Sequence, residues 1–251
     1  MGRLGIVAAS VLLLGTAAPA FADSVTFGQF SQKSVSQRLF RYKNLDTANS
    51  AGAEIYTTTT PSSTVSGSIP VYYIMSQFVL PADLQGLQDA HLTVDFLSTS
   101  GTTGSGASRV QMFGSGTITI TRDTAALEGW NSRTNLLTVT FTDAELDASQ
   151  NNGSFTFKSN DDSTITYSSD FLDFANVFAK DFSLSFSGAD PEFDANLGSS
   201  SVNTRFSGTG TFASDPIGVP EVSSWALLVL GFGGVGAALR AGRRSKDMFA
   251  A

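Results

Sequence analysis

Thr117-Ile118-Thr119-Ile120-Thr121 and Thr138-Val139-Thr140-Phe141-Thr142 are the two stretches that decide how this chain folds. Both alternate strictly, so on a strand every threonine points to one face and every apolar residue to the other. Ser154-Phe155-Thr156-Phe157, Thr164-Ile165-Thr166-Tyr167 and Ser183-Leu184-Ser185-Phe186-Ser187 repeat the pattern. Strands that are apolar on one face and hydroxylic on the other belong to antiparallel sheets with one wet side. Less regular strand candidates are Val25–Phe30, Arg38–Tyr42, Val71–Leu80, His91–Leu97, Arg109–Phe113, Phe171–Phe178 and Val202–Phe212. Turn-forming stretches such as Ser100–Ser108 and Asn151-Asn152-Gly153 separate them. Pro81–Gln88 and Asp123–Gly129 are the places where a short helix is expected. The expected body is therefore all-β, an antiparallel β-sandwich of jelly-roll type with about ten to twelve short strands over residues 23–215. A short linker, Ala213–Val219, follows it.

Composition narrows the function. The chain has 251 residues, no cysteine and one histidine, His91. Disulfides, thiolate metal sites and a thiol nucleophile are excluded, and only one imidazole base is on offer. Residues 23–219 carry 20 acidic and 10 basic side chains, a net charge of −10. That charge repels a phosphate backbone, so no nucleic-acid partner is expected. The same stretch holds 30 serines and 25 threonines. Uncharged hydroxyls, more than ions, solvate this body.

Both ends of the chain differ from the body. Residues 1–22 combine Arg3, an apolar run from Leu4 to Leu14 and small residues at Ala18, Ala20 and Ala22. This is the layout of a secretory signal peptide, with cleavage expected after Ala22. At the other end, Val222–Leu239 is 18 residues without a charge. As a helix it would measure about 27 Å against a hydrocarbon core of roughly 30 Å. Arg240, Arg243, Arg244 and Lys246 follow at once, which in an exported protein stops transfer and leaves the cluster in the cytoplasm. Residues 216–251 are thus expected to be a linker and a single transmembrane helix.

In order, Pro220-Glu221, Trp225-Ala226-Leu227-Leu228, Gly231-Phe232-Gly233, Arg240 and Arg243-Arg244 resemble a PEP-CTERM sorting signal of the PEPxxWA type. Val222 stands where that motif has its second proline. The resemblance covers about the last 30 residues. It implies a membrane-held precursor, processed near Pro220-Glu221 by an exosortase. It also implies delivery to the cell surface or exopolysaccharide (biofilm) matrix of a Gram-negative bacterium.

No motif in the body names a reaction, and no catalytic or cofactor-binding residue is assigned. His91 lacks a nucleophile elbow and reads as a structural or surface histidine. Asp143, Glu145 and Asp147 would share one face of a strand, as a glycosidase pair might, but their neighbours suggest a solvated acidic loop. Asn160-Asp161-Asp162 and Asn151-Asn152 offer oxygen ligands for calcium without the spacing of a known loop, and read first as a polar hairpin turn. Ice binding would need the threonine rows of 117–121 and 138–142 to repeat in register across many strands, and here the spacing and residues drift. Tyr56, Tyr72, Tyr73 and Trp130 are candidates to stack on sugar rings, although Tyr72 and Tyr73 must face opposite ways on one strand. The reading that results is a non-enzymatic adhesive or structural envelope protein. The alternative is a polysaccharide-binding or polysaccharide-active sandwich using acidic residues.

Overall fold

The computed structural model describes residues 24–45, 52–76, 80, 84–104, 108–122, 133–149, 153–175, 177, 179–192 and 203–214, all within one compact unit, Ser24–Ile217. The signal region with Ala20 and Ala22 lies outside the described residues. So do Asp123–Gly129, Trp130, Asn151-Asn152 and the whole tail with Pro220, Glu221, Trp225, Gly231, Gly233, Arg240, Arg243 and Arg244. Among the described residues, no helix is long and apolar enough to cross a membrane.

Thirteen strands make up the described fold: β1 Val25–Gln32, β2 Phe40–Asn44, β3 Ala53–Thr57, β4 Ile69–Met75, β5 Leu87–Ser98, β6 Ser108–Phe113, β7 Ser115–Arg122, β8 Asn135–Thr142, β9 Ala144–Ser149, β10 Ser154–Lys158, β11 Thr164–Ser168, β12 Lys180–Asp190 and β13 Asn203–Ser214. Every pairing between them is antiparallel. The alternating segments thus fold as their period dictates, and the all-β antiparallel expectation holds.

The ladder forms one network. One run is β11-β8-β7-β5 and another is β13-β12-β10-β9-β6. Two bridges join them, β5-β3-β2-β13 and β5-β4-β1-β13. The length of β5 and β13, 12 residues each, makes this possible. At about 3.3 Å per residue each reaches roughly 40 Å, enough for two shorter strands end to end along one edge. On β5, Leu87–Leu92 pairs with β4 and Asp95–Ser98 with β3. On β13, Asn203–Phe206 pairs with β2 and Thr209–Ser214 with β1. Six strands close into a ring and hide their edges from unwanted partners.

The apolar rows meet inside as a phenylalanine core. Phe157 of β10 stacks on Phe96 of β5 at 4.5 Å and lies 5.5 Å from Phe141 of β8. Phe141 also meets Phe182 of β12 at 5.1 Å, so the β5–β8 run faces the β10–β12 run. On β13 the inward row reads Phe206, Gly208, Gly210, Phe212. A Cβ on Gly210 would sit 2.3 Å from Phe30 Cε1 and 2.4 Å from Leu184 Cδ2, so glycine there makes room for a ring.

Three expectations change. Strands β3 and β9 were not foreseen, because β3 holds Glu54 and β9 spells Ala-Glu-Leu-Asp-Ala-Ser. On β9, though, Ala144, Leu146 and Ala148 are buried, with Leu146 and Ala148 the register partners of Phe157 and Phe155 on β10. Phe171–Phe178 is not a strand over its described residues. Ser169 Oγ accepts from the Phe171 and Leu172 N–H groups, and Asp173 Oδ1 from that of Ala175, local bonds that compete with a ladder. Of the expected helix Pro81–Gln88, Leu87 and Gln88 instead begin β5.

Candidate functional site

Strand register assembles what the sequence leaves scattered. On the outer face of the β5-β7-β8-β11 run, Thr93, Thr119, Thr138 and Ser168 are successive partners in one cross-strand row. Asp95, Thr117, Thr140 and Thr166 form the next row, and Thr142 with Thr164 belongs to a third. All are exposed or half-buried. A second face repeats the device, with Thr156, Ser185, Thr209 and Ser31 in one row. The expectation that the threonines drift out of register is corrected here. Their spacing drifts along the chain, but the antiparallel pairing sets them side by side.

Such a face is a grid of hydroxyls about 4.8 Å apart across strands and roughly 6.7 Å apart along them. Each hydroxyl gives one donor and two acceptor positions without charge. Chemically, the grid suits an extended hydroxylated polymer more than an ion.

The other candidates separate. His91 is half-buried on the outer face of β5, opposite Pro70 and Thr121. Glu145 and Asp147 do share the outer face of β9, which is a strand and not the expected loop. Glu145 is 3.6 Å from Lys158 Nζ, and Asp147 pairs with Val110 and Thr156. Asp143 leaves that face. It is exposed at φ 59, the corner residue at which the chain passes from β8 to β9 on the opposite run. Asn160-Asp161-Asp162 links β10 to β11, which do not pair, so it is a crossing and not the expected hairpin. Asn160 Oδ1 is used locally, accepting from the Asp162 N–H and from Ser163 Oγ, each at 3.1 Å. Among the described residues no group of three or more His, Asp or Glu side chains gathers as a metal site.

Of the tyrosines, Tyr73 is fully buried and Tyr72 on the same strand is 39% exposed, as their alternation requires. Lys33 Nζ lies 5.2 Å from the Tyr72 ring centroid and 2.7 Å from Asp89 Oδ1. Ile74 and Leu87 are exposed beside it and are register partners. Tyr56 is buried and donates to the Thr64 carbonyl at 3.3 Å. Burial raises the phenol pKa of Tyr42, Tyr73 and Tyr167 well above the ordinary value.

Comparison of the chain with protein-family models, with curated proteins and with solved structures finds no match. Function therefore rests on the residues themselves.

Proposed function

We propose that this chain is an exported protein of the bacterial envelope or exopolysaccharide matrix, adhesive or structural in role, whose body is a jelly-roll-like β-sandwich. In this reading residues 1–22 direct export and Val222–Leu239 holds the precursor in the membrane. An exosortase-type enzyme then processes it near Pro220-Glu221. The observation that carries the reading is the sequence order of the tail, Pro220-Glu221, Trp225, Gly231, Gly233 and the arginines from Arg240, behind a body with hydroxyl-covered outer faces.

The arrangement of the body's ends supports it. Val25 at the start of β1 is the register partner of Ser214 at the end of β13. The chain leaves the body at adjacent strand ends, so cleavage after Ala22 and near Pro220 would remove no described strand. Of the alternatives, polysaccharide binding is favoured by the in-register hydroxyl rows. For polysaccharide cleavage, Glu145 and Asp147 share the outer face of β9, with Glu145 3.6 Å from Lys158 Nζ, while Asp143 stands off that face at the corner before β9.

Cell fractionation of a chain ended at Val219 tests the reading. The expected result is loss from the membrane and surface fractions, with appearance as a soluble exported protein. An unchanged distribution would overturn it.

A further inference from the structure

The second hydroxyl row does not stop at Asp95. Asp95 is the register partner of Tyr56, Tyr56 of Arg41, Arg41 of Arg205 and Arg205 of Asp190. Two arginines thus stand directly opposite one another across the β2-β13 ladder, where like charges repel. Arg38, just before β2 and at φ 48, joins them. Asp190 Oδ2 accepts from Arg38 Nη1 at 2.9 Å and lies 3.7 Å from Arg205 Nη2. The Pro61 carbonyl accepts from Arg41 Nη2 at 2.8 Å and from Arg205 Nη1 at 3.4 Å. Among the described residues, three guanidiniums therefore share one carboxylate and one carbonyl, within a body of strongly negative net charge.

Part of this is structural. Pro61 belongs to the segment that follows β3, and its carbonyl fixes that segment over the sheet. That latch engages Arg41 and Arg205. It does not account for Arg38, which pairs with Asp190 instead, nor for Arg41 Nε, which is buried without a hydrogen-bond partner in a residue only 8% exposed. Arg38 and Arg205 meanwhile keep 41% and 38% of their side-chain surface open to solvent. A planar guanidinium with open donors matches a carboxylate or sulfate in two-point fashion.

We propose that Arg38, Arg41 and Arg205 form an anion subsite for the carboxylate or sulfate groups of an acidic polysaccharide. Arg38 and Arg205 touch the anion, and buried Arg41 adds positive potential from behind. This inference rests on the matrix reading above and names its ligand class.

The test uses the full chain in mild detergent, with affinity electrophoresis against polygalacturonate, dextran sulfate and uncharged dextran. The parent is expected to be retarded by one or both charged polymers and not by dextran, with retardation fading as salt screens the charges. Polygalacturonate alone would assign carboxylate, and dextran sulfate alone would assign sulfate. R38Q/R205Q should weaken binding at least about tenfold, the loss expected from removing a charged hydrogen-bond partner. D190N removes the competing carboxylate and should strengthen binding several-fold, a gain that a purely structural role would not produce. Equal retardation by dextran, or unchanged binding in R38Q/R205Q, would overturn the subsite. A parent that reaches the cell surface but ignores both charged polymers overturns the subsite and leaves the matrix reading standing. A parent absent from the surface overturns the matrix reading itself.

Discussion

Phe157 is the side chain on which the two runs of strands close, and Phe157→Ala shows what that closure is worth. Its ring is fully buried. Its neighbours are Phe96 at 4.5 Å, Phe113 at 5.2 Å, Phe141 at 5.5 Å and Phe182 at 6.0 Å, between ring centroids. Two of these neighbours, Phe96 and Phe141, belong to the opposite run. Truncating a buried phenylalanine costs about 3–5 kcal/mol, partly as lost transfer energy and partly as cavity. Four ring contacts with little room to collapse place this site in the upper half, about 4 kcal/mol. Against a typical stability of roughly 5–15 kcal/mol, that is a large fraction. For a body of this size it lowers Tm by about 8–16 °C. Urea unfolding of residues 23–218, followed by circular dichroism, measures it, with Thr140→Ala on the outer face as the control at within ~0.5 kcal/mol. A cost under about 1 kcal/mol for Phe157→Ala, or an equal cost for Thr140→Ala, would refute the assignment of inner and outer faces.

Other outcomes follow from the same structure. Gly210→Ala should destabilise by about 1–3 kcal/mol through overpacking against Phe30 and Leu184, read in the same unfolding assay; no change would mean that the rings have room to move. Tyr42, Tyr73 and Tyr167 are held neutral by burial, so above their ordinary pKa of about 10 the unfolded chain loses protons that the folded chain keeps. Stability should therefore be unaffected by these groups below that pH and fall by roughly 4 kcal/mol per pH unit above it. Phenolate absorbance should show these three tyrosines titrating only with unfolding, and their titration in the folded protein would contradict their burial. Reductant should leave Tm unchanged in a chain without cysteine. A chelator should too, and a fall beyond about 5 °C would assign a stabilising calcium ion.

The fold class was legible because Thr-Ile-Thr-Ile-Thr and its relatives state their period in five residues. The two missed strands were not, and for opposite reasons. β3 is buried or half-buried at every position, so its polar members look like a loop. β9 turns inward only Ala144, Leu146 and Ala148, an apolar row too small to stand out in the sequence. Register was the harder loss. Thr117, Thr140 and Thr166 become neighbours only when the turn lengths and the bulge near Thr121 are known. The arginine group was invisible for the same reason, since Arg41 and Arg205 are 164 positions apart and meet through the β2-β13 pairing. The tail is the reverse case: its expected role rests on order and charge along one segment, which lies outside the described residues.

In the proposed reading the tail decides where this protein ends up, and fractionation with size analysis tests it. Cells expressing the parent, Pro220→Ala/Glu221→Ala, or Arg240→Glu/Arg243→Glu/Arg244→Glu are fractionated and the protein in each fraction is sized. The parent should be found at the surface or in the medium in a form shortened at the C-terminus. The double-alanine chain should insert but stay unprocessed, accumulating as a larger, membrane-held species. The triple-glutamate chain should lose stop-transfer and be misplaced or degraded. If the double-alanine chain matures and distributes like the parent, Pro220-Glu221 is not a processing signal and the segment from Val222 to Leu239 is a simple anchor.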